Sequence, residues 1–259
     1  MHAESVVAIV LAGGKGKRME SDLPKVLHPL CGKPMVFWLL DQLIPLFQNR
    51  IVVVVGYQKE RVQREIEKIT PVCFAWQQEQ LGTAHAVQCA LPVLFERFPS
   101  TEHVLILCGD IPLLKGETIQ KMLRNHARRQ ADISLLVTEL ANPYGYGRVL
   151  LDADGHVDRI VEEADCSNEE RNVRRINTGI YVVRTKHLKQ MLLGIRADNA
   201  QREYYLTDII KIGKAMGLSI QMDECQNPQE IQGINSRSEL MRLEAELKGY
   251  CHKSLDMVY

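Results

Sequence analysis

The chain has 259 residues, 46% of them hydrophobic, enough to bury a substantial core in one α/β unit. Its 32 Lys and Arg balance its 32 Asp and Glu, so no global field recruits nucleic acid or an anionic membrane, and any anion site must be local. Apolar runs such as Val6 to Ala12 and Ile51 to Val55 fall far short of the roughly 20 residues that span a bilayer.

Val6 to Ala12 is a continuous apolar run that opens into a glycine-rich loop. Met35 to Phe47 then has helical spacing, and the β-branched Ile51 to Val55 completes a βαβ unit. The alternation continues with a charged helix at Glu60 to Ile69, a strand at Val72 to Trp76, a helix at Thr83 to Phe95 and a strand at Val104 to Cys108. After a helix at Glu117 to Gln130 the texture changes. Shorter strands at Ile133 to Thr138, Gly147 to Leu151, Val157 to Val161 and Ile176 to Val183 predict antiparallel or mixed pairing. A last helix is expected at Ser236 to Tyr250. The fold class is thus α/β: a Rossmann-like, mostly parallel mixed sheet flanked by helices, with ligand loops at the carboxyl ends of its strands. Residues 1–235 are read as one domain and 236–259 as its C-terminal helix and tail, not a separate domain.

Seven scattered cysteines have neither zinc-site spacing nor the density of a disulfide scaffold, and are expected as reduced thiols. Glu4 and the absence of a basic leader make a secretory signal a poor reading, so a cytoplasmic protein is expected.

The loop Leu11-Ala12-Gly13-Gly14-Lys15-Gly16-Lys17-Arg18-Met19 sets three glycines among basic residues, with Lys25 close behind. Such a loop lets backbone approach a polyphosphate. A dinucleotide fingerprint would need a third glycine at Met19, and a Walker loop would need Ser or Thr at Arg18; both fail. A solvated basic turn remains the bland reading. With Leu23-Pro24-Lys25 and Gly32-Lys33-Pro34 following, the pattern resembles the signature of sugar-phosphate nucleotidyltransferases. Gln80 to Ala86, Gly109 to Leu113, Gly145 to Arg148, Ile160 to Glu163, Ile176 to Ile180, Glu203 to Asp208 and Gly233 to Asn235 follow in order. Together they resemble the uridylyltransferase domain of the bifunctional N-acetylglucosamine-1-phosphate uridylyltransferase/glucosamine-1-phosphate acetyltransferases, a GT-A-like nucleotide-diphospho-sugar transferase fold.

That resemblance implies transfer of a uridylyl group from UTP to N-acetylglucosamine 1-phosphate, releasing pyrophosphate and supplying cell-envelope precursors. It assigns Arg18 and Lys25 as catalytic charge stabilisers, and Leu11, Ala12, Gly13, Gly14, Gln77, Gly82 and Thr83 to the nucleotide. The amide of Gln77 offers both donor and acceptor to a uracil edge. Gly147, Glu162, Asn177 and Tyr205 are assigned to the sugar. Asp110, after a strand, and Asn235 are assigned to Mg²⁺, which favours oxygen ligands and needs few protein groups. By residue type alone, an Asp after a strand is more often a cap or turn former, and Asn235 beside Ser236 and Glu239 favours a helix cap.

The resemblance implies no nucleic acid, membrane or acetyl-CoA partner, since no hexapeptide repeats of the acetyltransferase half occur here; it leaves the oligomeric state open. The same chemistry on another sugar 1-phosphate or nucleotide, or a catalytically silent nucleotide-sugar sensor, also stays open.

Overall fold

The computed structural model describes residues 5–247. Strand β1 (Val6–Ala12) leads into the glycine loop, and short strands β2 (Pro29–Leu30) and β3 (Lys33–Pro34) pair just ahead of α1 (Met35–Phe47). Next come β4 (Ile51–Val55), α2 (Lys59–Glu67), β5 (Cys73–Trp76), α3 (Thr83–Arg97), β6 (His103–Cys108) and α4 (Gly116–Arg128), alternating as the periodicity predicts. The second half holds β7 (Ile133–Glu139), β8 (Arg148–Leu151), β9 (Val157–Val161) and β10 (Arg175–Arg184). It continues with α5 (Thr185–Gly194), α6 (Asp208–Ala215), β11 (Ile220–Glu224) and α7 (Arg237–Glu246). Of these, α5, α6 and β11 were not anticipated from the sequence. The end of the expected C-terminal helix, beyond residue 247, lies outside the described residues.

The main path of the sheet runs β11-β7-β10-β6-β1-β4-β5. Only β10 is reversed in it: β10 pairs antiparallel with both β6 and β7, while β1, β4, β5, β6 and the β7 and β11 pair join their neighbours in parallel. Antiparallel β8 and β9 hang off β10. The antiparallel or mixed pairing expected after residue 130 is therefore present, with β10 running against both β6 and β7, β8 and β9 antiparallel beside it, and β11 parallel to β7.

Residues of β1 alternate between two cores. Ala8 and Val10 face α1 and α4 through Leu39, Leu43, Ile119 and Met122. Val7 and Ile9 face α3, α5 and α6 through Ala90, Leu94, Leu188 and Ile209. Coverage on both faces is why β1 reads as an unbroken apolar run instead of an alternating one; Val6 to Val10 are each at most 2% exposed. Each such valine or isoleucine contributes roughly 1.5–3 kcal/mol of hydrophobic stabilisation, an upper figure because unfolded chains already bury some surface. A smaller third cluster packs Leu240 and Leu243 of α7 against Met19, Leu30, Met35 and Ile234. That contact ties the C-terminal helix to the segment just after the glycine loop.

Among the described residues no helix is long and apolar enough to cross a membrane. Cys73, Cys89, Cys108, Cys166 and Cys225 are free thiols. Cys31 is disulfide-bonded, which corrects the expectation of seven reduced cysteines.

Candidate active site

The carboxyl ends of β1, β4 and β6 define one edge of the sheet, and the glycine loop springs from the first of them. The loop's geometry is set by close approach. A Cβ on Gly13 would lie 2.9 Å from Gln77 Oε1, and Gly13 O accepts the Tyr57 N–H at 3.0 Å. Gly16 takes φ +69°, and a Cβ there would lie 2.8 Å from Cβ of Lys25. The N–H groups of Gly14, Lys15, Gly16 and Lys17 donate no hydrogen bond among the described residues. Successive free amides beside lysines are suited to an anion with several oxygens.

A cleft of about 250 Å³ opens against this loop. It gathers Leu11, Ala12, Gly13, Gly14, Gln77, Gly82 and Thr83, the whole set expected at the nucleotide, together with Lys25 and Asp110. Gln77 is buried, with Nε2 donating to Gly82 O at 3.0 Å and lying 3.3 Å from His85 Nδ1. Its N–H donates to Val55 O at 2.8 Å, so β4 fixes where the amide points. The cleft also takes in Gln80, Cys108 and Glu203, which sequence reasoning did not single out, although Gln80 and Glu203 open two of the motifs quoted above. Burial, reinforced by the charge of Asp110, pushes the Cys108 thiol up to about 12. It therefore stays a neutral wall of the cleft at neutral pH.

Lys25 Nζ contacts Asp110 Oδ2 and donates to Asn235 Oδ1 at 2.6 Å. Backbone pairing explains the meeting: Gly109 N–H donates to Leu11 O at 2.9 Å, and Ile234 N–H donates to Asp110 O at 3.0 Å. Asn235 is not the helix cap that its spacing favours. Ser236 Oγ accepts the Glu239 N–H at 3.2 Å, and the Glu239 carboxylate accepts the Asn235 N–H at 2.7 Å, which frees the Asn235 side chain for the cleft. A carboxylate oxygen and an amide oxygen converging on one ammonium are a hard-oxygen set that fits a divalent cation.

Arg18 lies apart from that cleft. It is exposed on a short 3-10 turn, Lys17–Met19, and lines a neighbouring cleft of about 560 Å³ with Asn235, Gly233, Tyr146 and Arg242. Asn235 stands between the two spaces, touching Lys25 in one and lining the other.

Three of the four residues expected at the sugar are neighbours. Asn177 N–H donates to Gly147 O at 2.8 Å, and a Cβ on Gly147 would lie 3.3 Å from Glu162 Oε2. A register shift in β10 between Asn177 and Tyr181 turns the Asn177 side chain inward, where Oδ1 accepts from Gly179 N at 3.1 Å and Tyr181 OH at 2.9 Å. Bulges of this kind aim side chains at sites. Burial pushes the Glu162 carboxyl up from its ordinary value, opposed by the Thr207 hydroxyl, which donates to Oε1 at 3.1 Å. Thr207 belongs to the Glu203 to Asp208 motif but was not singled out. Tyr205 is buried and lines a cavity of about 550 Å³ with Asp165 and Asp208; none of the four sugar candidates lines the cleft of Lys25. Glu162 lines that cavity too. The backbone beside Tyr205 does reach the nucleotide loop: Tyr204 N–H donates to Leu81 O, Ala84 N–H to Tyr204 O, and Leu206 N–H to Thr83 Oγ1, all at 2.8–3.0 Å.

The sequence profile of the MobA-like NTP transferase domain matches residues 8–176. The chain is 45% identical over 251 residues to the bifunctional protein GlmU of Geotalea uraniireducens (strain Rf4), covering 97% of this chain and 54% of that protein. It is 47% identical over 235 residues to that of Geotalea daltonii, covering 91% and 51%. To that of Syntrophotalea carbinolica it is 42% identical over 255 residues, covering 98% and 54%. The chain thus spans about half the length of the curated relatives it matches. A mostly parallel sheet with its glycine loop and acidic strand end at one edge, and a profile match that runs from β1 into β10, together make this chain a member of the MobA-like NTP transferase family.

Proposed function

We propose that the chain transfers a uridylyl group from UTP to N-acetylglucosamine 1-phosphate, giving UDP-N-acetylglucosamine and pyrophosphate, with Mg²⁺ as the metal. The observation that carries this reading is the meeting of Lys25, Asp110 and Asn235 beside a loop of unpaired amides, with Lys25 and Asp110 lining the cleft that also holds the buried Gln77 amide. Phosphoryl transfer asks the protein to position reactants and neutralise charge, and no side-chain nucleophile is required. The sugar phosphate oxygen attacks the α-phosphorus of UTP in line, and pyrophosphate leaves.

In this reading Gln77, set by the Gly82 carbonyl and the end of β4, reads the uracil edge. The amides of Gly14 to Lys17 cradle the phosphates, Lys25 neutralises the developing charge, and Arg18 receives the leaving pyrophosphate from the outer cleft. Asp110 and Asn235 would hold the metal, whose charge would neutralise phosphate oxygens when bound. Gly147, Glu162 and Asn177 read the amino sugar. Tyr205, which shares a cavity with Glu162, is assigned to the sugar with them.

The test is pyrophosphate release from UTP with Mg²⁺ and each of several sugar 1-phosphates, with and without chelator. Chelator-sensitive release with N-acetylglucosamine 1-phosphate is expected. Preference for another sugar 1-phosphate would move the substrate, and no release with any pair would overturn the reading.

A further inference from the structure

Arg148, the first residue of β8, is 1% exposed, and a guanidinium taken out of water is costly unless it is paired and hydrogen-bonded. Its Nη2 donates to Glu163 Oε2 at 2.7 Å, its Nη1 donates to the Tyr146 carbonyl, and its Nε has no partner. The same Glu163 oxygen accepts the Gly145 N–H at 3.0 Å. One carboxylate oxygen therefore ties a buried cation to the turn that precedes it, and the cation ties down the next carbonyl of that turn. Burial pushes the Glu163 carboxyl up, but its bonds to Arg148 and Gly145 outweigh this and hold it below the ordinary range. Its neighbour Glu162 is shifted the other way and faces Gly147 instead.

Gly147 sits between the clamped residues. Its carbonyl is spent on Asn177 N–H, while its own N–H makes no hydrogen bond among the described residues. A free amide donor beside the Glu162 carboxylate offers a donor to an acyl carbonyl and an acceptor to a hydroxyl, which suits an N-acylated sugar and gives little to a sugar with a plain hydroxyl at that carbon.

We propose that Arg148 and Glu163 are positioning residues that fix the turn of residues 145–147 and so set selectivity for the N-acyl group. Neither touches the sugar. The inference rests on the proposed reaction. It predicts that sugar discrimination is encoded one step behind the residues that make contact.

The experiment compares wild type, Glu163→Gln and Glu163→Asp with two acceptors, N-acetylglucosamine 1-phosphate and glucose 1-phosphate, at saturating UTP. Glu163 has a side chain 25% exposed, so both replacements have room. Glu163→Gln should raise KM for the N-acetylated acceptor by about 10-fold, the loss of one aligned hydrogen bond, with KM for UTP unchanged. Its kcat should change little, and kcat/KM for glucose 1-phosphate should fall much less. Glu163→Asp, which keeps the charge, should recover part of the selectivity. Equal losses on both acceptors, or unchanged KM for the N-acetylated one, would overturn the positioning role. If Glu163→Gln does not fold, the same comparison on Glu163→Asp decides: a selectivity equal to wild type overturns the role, and a reduced one supports it. Wild type that turns over neither acceptor would instead overturn the proposed reaction.

Discussion

Lys25 Nζ lies 2.6 Å from Asn235 Oδ1, a contact that closes 210 residues of chain, and the same ammonium reaches Asp110. The two oxygens assigned to the metal are thus held together by the cation assigned to the phosphates. Asp110→Asn keeps an acceptor for Lys25 but removes the negative charge. Pyrophosphate release should fall by about 100-fold or more. The melting temperature should move by only a few degrees, roughly 2–4 °C for each kcal/mol. Near-normal release would remove Asp110 from the metal site.

Gly13→Ala would place a methyl 2.9 Å from Gln77 Oε1, on a side chain already held by the Gly82 carbonyl, with the Gln77 backbone pinned to Val55. Overpacking of this kind costs about 1–3 kcal/mol. If it displaces the amide from the base, KM for UTP should rise about 10-fold while KM for the sugar phosphate moves less. Steady-state kinetics with each substrate varied in turn decide it, and an unchanged KM for UTP would separate Gln77 from base recognition.

Arg18 is exposed and its truncation should leave stability within about 0.5 kcal/mol. Turnover of Arg18→Ala should fall more than the apparent affinity for sugar. A change confined to KM for the sugar phosphate would contradict its place at the phosphates.

His126 offers a pH test far from the site. It donates to or accepts from Ser134 Oγ at 2.7 Å and His103 Nδ1 at 3.1 Å, and burial, aided by neighbouring positive groups, lowers it from 6.5 to about 4. A depressed folded value means that its contribution is present above the unfolded value and is lost as pH falls from 6.5 through about 4. Thermal melts of wild type should drop over that window. His126→Gln should show a flatter profile there, and equal slopes would show that other groups govern acid stability.

The first half of the fold was legible because β1, β4 and β6 are buried on both faces and carry unbroken apolar runs. In α5 the signal existed: Leu188, Met191 and Leu192 have helical spacing. It sat among lysines directly after a strand, with no capping side chain to mark a start. Edge strand β11 buries only Asp223 fully among its five residues, so it shows no apolar alternation to read. The residues assigned to the nucleotide came from ordered motifs at the end of β1, after β5 and at the start of α3, and the structure gathers them along one cleft. What local pattern could not supply was the partner across the chain. It could not show that one ammonium, Lys25, would meet both Asp110 and Asn235, or that Arg18 would line the outer cleft.

The segment from Tyr204 to Thr207 is bonded to Leu81, Thr83 and Ala84 by its backbone, and through the Thr207 hydroxyl to Glu162. The proposed base seat and the proposed sugar seat are therefore two ends of a single short strut. A substitution in this strut should therefore disturb both proposed seats at once, so that apparent affinities for the two substrates fall together.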